Sequence, residues 1–231
     1  MHLFKPVFFA SLIICSAAAS AQVSKFQGAF GQIGIGYESA SPTSTSASIG
    51  GPRGSLSATP NYSNANSFAG TVGLGWYQDI AKGYLLGLGA EYSPISGQTS
   101  SYNVSSVATV GGVTGSANRS YTYQKKNSYN IFLSPAVTVG NDGLAYLKVG
   151  YSGAQFNQYT SLNTNYSGYS LGLGYKQLFT GGWYGFGEVN YASYGSQTVS
   201  TTTAINNNKY TASGSGGMNT TNLLVGVGYK F

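Results

Sequence analysis

The sequence predicts an all-β chain closed into an eight-stranded antiparallel up-and-down transmembrane β-barrel, with short turns at one rim and long loops at the other. Three observations carry that prediction. Only 7% of the 231 residues are charged, whereas Gly (34) and Tyr (20) abound; a water-exposed surface carries roughly 25–35% charge. Apolar residues alternate with small or polar ones in segments of about ten residues, the pattern of barrel strands that meet lipid on one face. Past the first residues no apolar run approaches the ~20 residues of a spanning helix, and a closed barrel is the other structure that satisfies every backbone group in hydrocarbon.

The chain opens with a basic start (His2, Lys5), an apolar core from Pro6 to Cys15 and the small residues Ala19-Ser20-Ala21. Together these read as a cleavable export signal over 1–21, with the barrel domain expected over 22–231. The only Cys (Cys15) and the only His (His2) fall in that signal. The mature chain is therefore expected to have no disulfide, thiolate or imidazole chemistry, and no metal or cofactor site.

The clearest strand is 84–92, where Tyr84, Leu86, Leu88, Ala90 and Tyr92 form one face and Gly87, Gly89 and Glu91 lie on the other. The same grammar places strands at 27–38, 68–80, 129–139, 145–153, 167–178, 183–193 and 221–231. Ala81-Lys82-Gly83, Asn141-Asp142-Gly143 and Phe179-Thr180-Gly181-Gly182 are tight turns. The alternate connections, near 39–67, 94–128, 154–166 and 194–220, are long and rich in Ser, Thr, Asn and Gly. An even strand number returns the chain to its starting rim, so in an exported protein the short turns are expected to be periplasmic and the long loops extracellular.

Charge decides which face points outward. The apolar face of the strands carries none, while the opposite face carries Glu38, Asp79, Glu91, Lys148, Lys176, Glu188 and Lys230. A soluble barrel would have to cover its exterior with those few charges and bare glycines. Aromatic placement agrees, because Tyr and Trp favour the two bilayer interfaces. Tyr37, Tyr92, Tyr129, Tyr151, Tyr169 and Tyr191 mark the long-loop ends of the apolar face, and Trp76, Tyr84, Tyr175, Trp183 and Tyr229 mark the short-turn ends. Tyr84 to Tyr92 spans roughly 26 Å of strand, or about 20 Å of height at a ~40° tilt, close to the apolar band of a barrel.

Three segments carry a family resemblance: 144–153 (LAYLKVGYSG), Gly172-Leu173-Gly174-Tyr175-Lys176 running on to Glu188-Val189-Asn190-Tyr191, and the ending Gly226-Val227-Gly228-Tyr229-Lys230-Phe231. They resemble the small OmpA/OmpX-like outer-membrane barrels of Gram-negative bacteria, over essentially the whole mature chain. The resemblance implies a place in the cell outer membrane. It also implies that the ending, through Gly226, Tyr229 and Phe231, is read by the outer-membrane assembly machinery, although Leu224 stands where a polar residue is usual. Unlike longer members, the chain ends at the barrel without a peptidoglycan-binding domain, so a tether to the cell wall is not expected.

An eight-stranded barrel is just wide enough for side chains to fill. Tyr77, Phe132, Tyr146, Tyr184 and Phe186 point inward, so a packed or narrowly wet lumen is expected. Glu188 and Lys148 lie two strands apart near mid-height, which suits a cross-lumen ion pair, with Glu91 nearer the long-loop rim and Lys176 nearer the short-turn rim. Enzymes on related barrels rely on His with Ser or Asp, and the five acids here are spread over four strands and a turn. The chain is thus read as not an enzyme and with no catalytic residues.

Function is left to the long loops. Residues 103–123 and 197–213 look like strand extensions projecting beyond the membrane, similar to the surface fin of OmpX-like barrels, for which adhesion and defence roles are usual. The loop charges are all basic: Arg53, Arg119, Lys125, Lys126 and Lys209. They point to anionic partners, of which outer-membrane lipid and lipopolysaccharide are the nearest, and to a host or cell-surface ligand bound through the loops; nothing points to nucleic acid. The reading is an outer-membrane barrel with a structural or surface-interaction role, the alternative being a narrow porin-like channel for small solutes.

Overall fold

The computed structural model describes residues 24–43, 47–158, 163–205 and 208–231; the signal expected over 1–21 lies outside them. Among the described residues the strands are β1 (Gly28–Thr43), β2 (Ala47–Gly51), β3 (Gly54–Tyr62), β4 (Ala65–Ala81), β5 (Tyr84–Ser93), β6 (Ser100–Val110), β7 (Val113–Val139), β8 (Gly143–Gln158), β9 (Asn163–Leu178), β10 (Trp183–Ile205) and β11 (Asn208–Lys230). Eight of them close a ring in the order β1-β4-β5-β7-β8-β9-β10-β11, every pairing antiparallel, with β11 returning to β1. Closure leaves no unpaired strand edge in the part that must cross hydrocarbon.

The alternation read from the sequence is realised inside out. On β5 the outward Leu88 is 59% exposed while the inward Leu85 is 1% exposed. The strands meet their expected ends at the short-turn rim almost residue for residue, because turn chemistry fixes them there. Gly83 closes the β4–β5 hairpin at φ +78°, a left-handed conformation that an L side chain adopts only under strain.

At the other rim the strands run on well past the expected limits. β10 reaches Ile205 and β7 begins at Val113, and the segment expected as the loop 39–67 contains β2 and β3. Together β7, β6, β3, β2, β11 and β10 make a six-stranded sheet that projects beyond the ring. One face of β3 carries the exposed Ser55, Ser57, Thr59 and Asn61, and the other the half-covered Leu56, Ala58, Pro60 and Tyr62. At the base of this sheet Tyr62 stacks near Tyr102 (ring centroids 4.6 Å apart) and meets Tyr123 edge-on.

Inside the ring, bulky side chains interlock with glycines. Phe30 lies opposite Gly75, Tyr77 opposite Gly87, Phe132 opposite Gly89, Tyr146 opposite Gly174, Tyr184 opposite Gly228 and Phe186 opposite Gly226. In each pair a Cβ on the glycine would come closer than 3.0 Å to the ring. The rings fold over bare backbone, which is how a narrow lumen is filled without splaying the strands. Phe30, Tyr77, Tyr146, Tyr184 and Phe186 join Phe26, which enters from the N-terminal side, in an aromatic layer at the short-turn end. A second apolar layer, with Tyr123, Phe156, Tyr194 and Met218, lies toward the long-loop end.

Candidate functional site

Between the two aromatic layers a tier of charge crosses the lumen. Lys148 on β8 extends its Nζ to Glu188 Oε2 of β10 at 2.7 Å and to Glu91 of β5. Glu188 accepts further hydrogen bonds from Tyr146 (2.7 Å) and Asn190 (2.8 Å). Glu91 accepts one from Gln32 (3.2 Å), whose own oxygen accepts from Tyr184 (3.1 Å). One network thus ties β1, β5, β8 and β10 across the interior. Each buried ion costs several kcal/mol to desolvate unless its hydrogen-bonding capacity is met, and here the partners come from four strands.

Lys176 occupies the lower layer, and among the described residues no carboxylate forms an ion pair with it. Its Nζ sits 3.7 Å from the centre of the Phe30 ring, 4.8 Å from that of Tyr184, 5.2 Å from Tyr77 and 5.3 Å from Tyr146. A desolvated cation gains about 2 kcal/mol on such ring faces. Among the described residues the buried cations Lys125, Lys148 and Lys176 balance the buried anions Glu38, Glu91 and Glu188. The interior is neutral as a whole.

Two placements correct the sequence reading. Lys125, expected among the surface loop charges, is 6% exposed and ion-paired with Glu38 inside the barrel. The β7 ladder slips between Lys125 and Ser128. A one-residue slip moves every following side chain to the other face. Glu91, expected nearer the long-loop rim, shares the Lys148 tier, so two acids that looked scattered converge on one ammonium. Between this tier and the Glu38–Lys125 pair lies a polar cavity of about 40 Å³, edged by Thr71, Ser128, Asn130, Ser152 and Ser170. That is room for about three water molecules.

The other expected residues fall as follows. Tyr37, Trp76, Tyr84, Tyr92, Tyr129, Tyr151, Tyr169, Tyr175 and Trp183 are exposed on the outward face, and Tyr191 and Tyr229 are partly covered there. Cross-strand pairing joins Tyr92 to Tyr129 and Tyr151 to Tyr169 toward the long-loop rim, and Trp183 to Tyr229 toward the short-turn rim. Tyr229 also packs edge-on against Phe231, whose backbone N–H donates to Ala29 O at 2.9 Å. Gly226 serves as the seat of Phe186. Arg53, Arg119 and Lys209 stand exposed on the projecting sheet, and Lys126 is half-buried at the β7 bulge. Sequence reading missed Gln32, Asn190, Phe26 and the Glu38–Lys125 pair; the inward parity of Gln32 and Asn190 was the available signal.

The projecting sheet has an electrostatic feature of its own. Burial, together with the neighbouring phenols Tyr102, Tyr166 and Tyr123, pushes the Tyr62 hydroxyl up to about 12.

The outer membrane protein beta-barrel domain matches this chain over residues 7–231. Among solved structures the chain is similar to the outer membrane protein OprG from Pseudomonas aeruginosa, at 16% identity, covering 90% of this chain and 98% of that one, with a TM-score of 0.50. The outer membrane protease OmpT from Escherichia coli is matched at 14% identity over 92% and 99% of the two chains, with a TM-score of 0.44. The attachment invasion locus protein Ail of Yersinia pestis is matched at 11% identity over 89% and 99%, with a TM-score of 0.38. A comparison with curated proteins gives no match. At these identities the solved structures speak to the fold alone, and it is the match over 7–231, on a closed ring with an apolar exterior, that makes the chain a member of the outer membrane protein beta-barrel domain family, located in the outer membrane.

Proposed function

We propose that the protein is a non-enzymatic surface protein whose ring anchors the projecting six-stranded sheet outside the cell and whose lumen is a structural plug. In this orientation the short turns face the periplasm, the two aromatic tiers lie at the bilayer interfaces and the terminal strand addresses the assembly machinery. The observation that carries the reading is the sheet itself. Beyond the ring, among the described residues, β7 has no β8 partner over 113–120 and β10 has no β9 partner over 195–205. Neither segment holds a lysine or a proline, and Arg119 is the single charge across both, so little of the charge and proline with which proteins blunt free edges is present. Such edges accept an extended strand of a partner, with the flat Ser/Thr/Asn face beside them. Against a channel stand the two aromatic layers and the lysines that pair with Glu38, Glu91 and Glu188 inside the ring.

Two measurements test it. In planar bilayers the refolded protein is expected to be electrically silent, whereas stepwise conductance would promote the narrow-channel reading. Cells displaying the protein are expected to adhere to immobilised matrix proteins such as fibronectin and laminin, and to lose that adhesion when 103–120 is replaced by a two-residue turn. Equal adhesion at equal outer-membrane level would refute the surface role.

A further inference from the structure

Where β7 leaves the ring, its ladder to β8 skips Lys126 and Asn127. Beside this bulge the outer wall carries a recess of about 420 Å³, within the usual size of small-ligand pockets. Its floor is Gly153, on which the ring of Tyr129 lies so closely that a Cβ would run into it. Tyr151 borders it below, and Asn127, Gln155 and Asn165 supply three amide side chains from three strands. Asn127 Nδ2 donates to Tyr92 OH at 3.3 Å, and Gln155 Nε2 donates to Asn165 Oδ1 at 3.4 Å. Neither bond uses Asn127 Oδ1, Gln155 Oε1 or Asn165 Nδ2.

Level and chemistry together select an occupant. The recess opens at the aromatic tier of the long-loop rim, directly above the lipid-facing Ile131 and Val149, so it sits where acyl chains give way to headgroups. Phenol faces beside amides that both donate and accept suit the hydroxyls and apolar ring faces of a sugar, and no acidic side chain lines the site. The residue before Asn127 is the cation Lys126, half-buried at the same bulge. Arg119 lies ten residues beyond Tyr129, roughly 34 Å along the strand, too far to reach the same level, and Lys125 is held by Glu38.

We propose that this recess binds the phosphorylated sugar headgroup of an outer-leaflet glycolipid, the three amides taking the sugar hydroxyls and Lys126 the phosphate. The proposal rests on the orientation given above but not on a partner for the projecting sheet. Protein refolded in detergent micelles, where both rims are open, is titrated by native mass spectrometry with lipid A, glucosamine 6-phosphate and phosphatidylglycerol. Lipid A is expected to bind at least tenfold more weakly to the double variant Gln155→Leu/Asn165→Leu, and also to Ser167→Trp, which fills the recess while leaving the amides in place. Lys126→Gln is expected to weaken binding and flatten its salt dependence, and phosphatidylglycerol to distinguish none of the variants. Either recess variant decides if the other does not refold. Unchanged lipid A binding would overturn the site, and glucosamine 6-phosphate binding as tightly as lipid A would make a free sugar phosphate the ligand instead. A wrong orientation would show separately, as protease protection of the projecting sheet on intact cells.

Discussion

Replacing Lys148 with Met tests whether one ammonium holds the lumen together. Its side chain is 3% exposed and that of Glu188 is fully buried, so water cannot stand in for the lost charge. Removing one member of a buried ion pair costs about 3–5 kcal/mol. Here the removal also leaves Glu91 and Glu188, which share that ammonium, facing each other with no cation between them, so Lys148→Met is expected at the top of that range. Glu188→Gln is a milder change. Lys148 keeps Glu91, the new amide can still accept from Tyr146, and the loss is that of one charge-assisted interaction, about 1.5–3 kcal/mol. Combining the two substitutions relieves the carboxylate repulsion, so the double variant is expected to be more stable than the sum of the singles by at least about 1 kcal/mol.

The assay is urea unfolding of protein refolded into lipid vesicles. Trp76 and Trp183, the only tryptophans, lie on the outward face and report exit from the membrane. Additive single-variant losses would mean that the pair does not interact. A Glu188→Gln loss as large as that of Lys148→Met would mean that Glu91 contributes nothing to holding the lysine.

Two further predictions use the same protein. Gly87→Ala places a methyl group against the ring of Tyr77 and is expected to cost about 1–3 kcal/mol as overpacking, whereas Gly187→Ala, whose added Cβ meets nothing within 4 Å, is expected to leave the urea midpoint unchanged; equal effects would refute the ring-over-glycine account. The folded Tyr62 phenol holds its proton up to about 12 against an ordinary 10.0, so its contribution is fully present below pH 10 and is lost as pH rises from there toward 12. Phenolate absorbance of wild type and Tyr62→Phe should differ by a transition in that upper window, and a transition near pH 10 would show that the tyrosine cluster at the base of the sheet is open to water.

The ring was legible because lipid and lumen impose opposite demands on alternate residues. Along β5 every outward position is apolar and every second residue is leucine, glycine, glutamate or serine turned inward, so the face assignment follows from parity alone. The turn-side ends were sharp for a similar reason: Lys82-Gly83 and Thr180-Gly181-Gly182 cannot continue a strand. Beyond the ring that contrast vanishes. In β6 and the upper part of β7, Ser, Thr, Val and Tyr meet water on both faces or nearly so, and the period-two signal fades although the backbone pairing continues. Such segments look like loops until their cross-strand partners are known.

The lumen shows where parity reasoning stops. Counting inward residues identified Glu91, Lys148, Lys176 and Glu188, because the register does not shift at any of them. It could not place Lys125, since counting back from the outward Tyr129 and Ile131 also turns Lys125 outward; only the bulge before Ser128 returns it to the interior. Glu38 was therefore seen as a lumen charge without a partner, and its partner was assigned to the surface. The same bulge that takes Lys125 in also frees Lys126 and Asn127 from the ladder at the level of the outward tyrosines. A single inserted residue thus supplies both the second buried ion pair and the polar lip of the lateral recess, two features on opposite faces of one strand that no periodic reading could have linked.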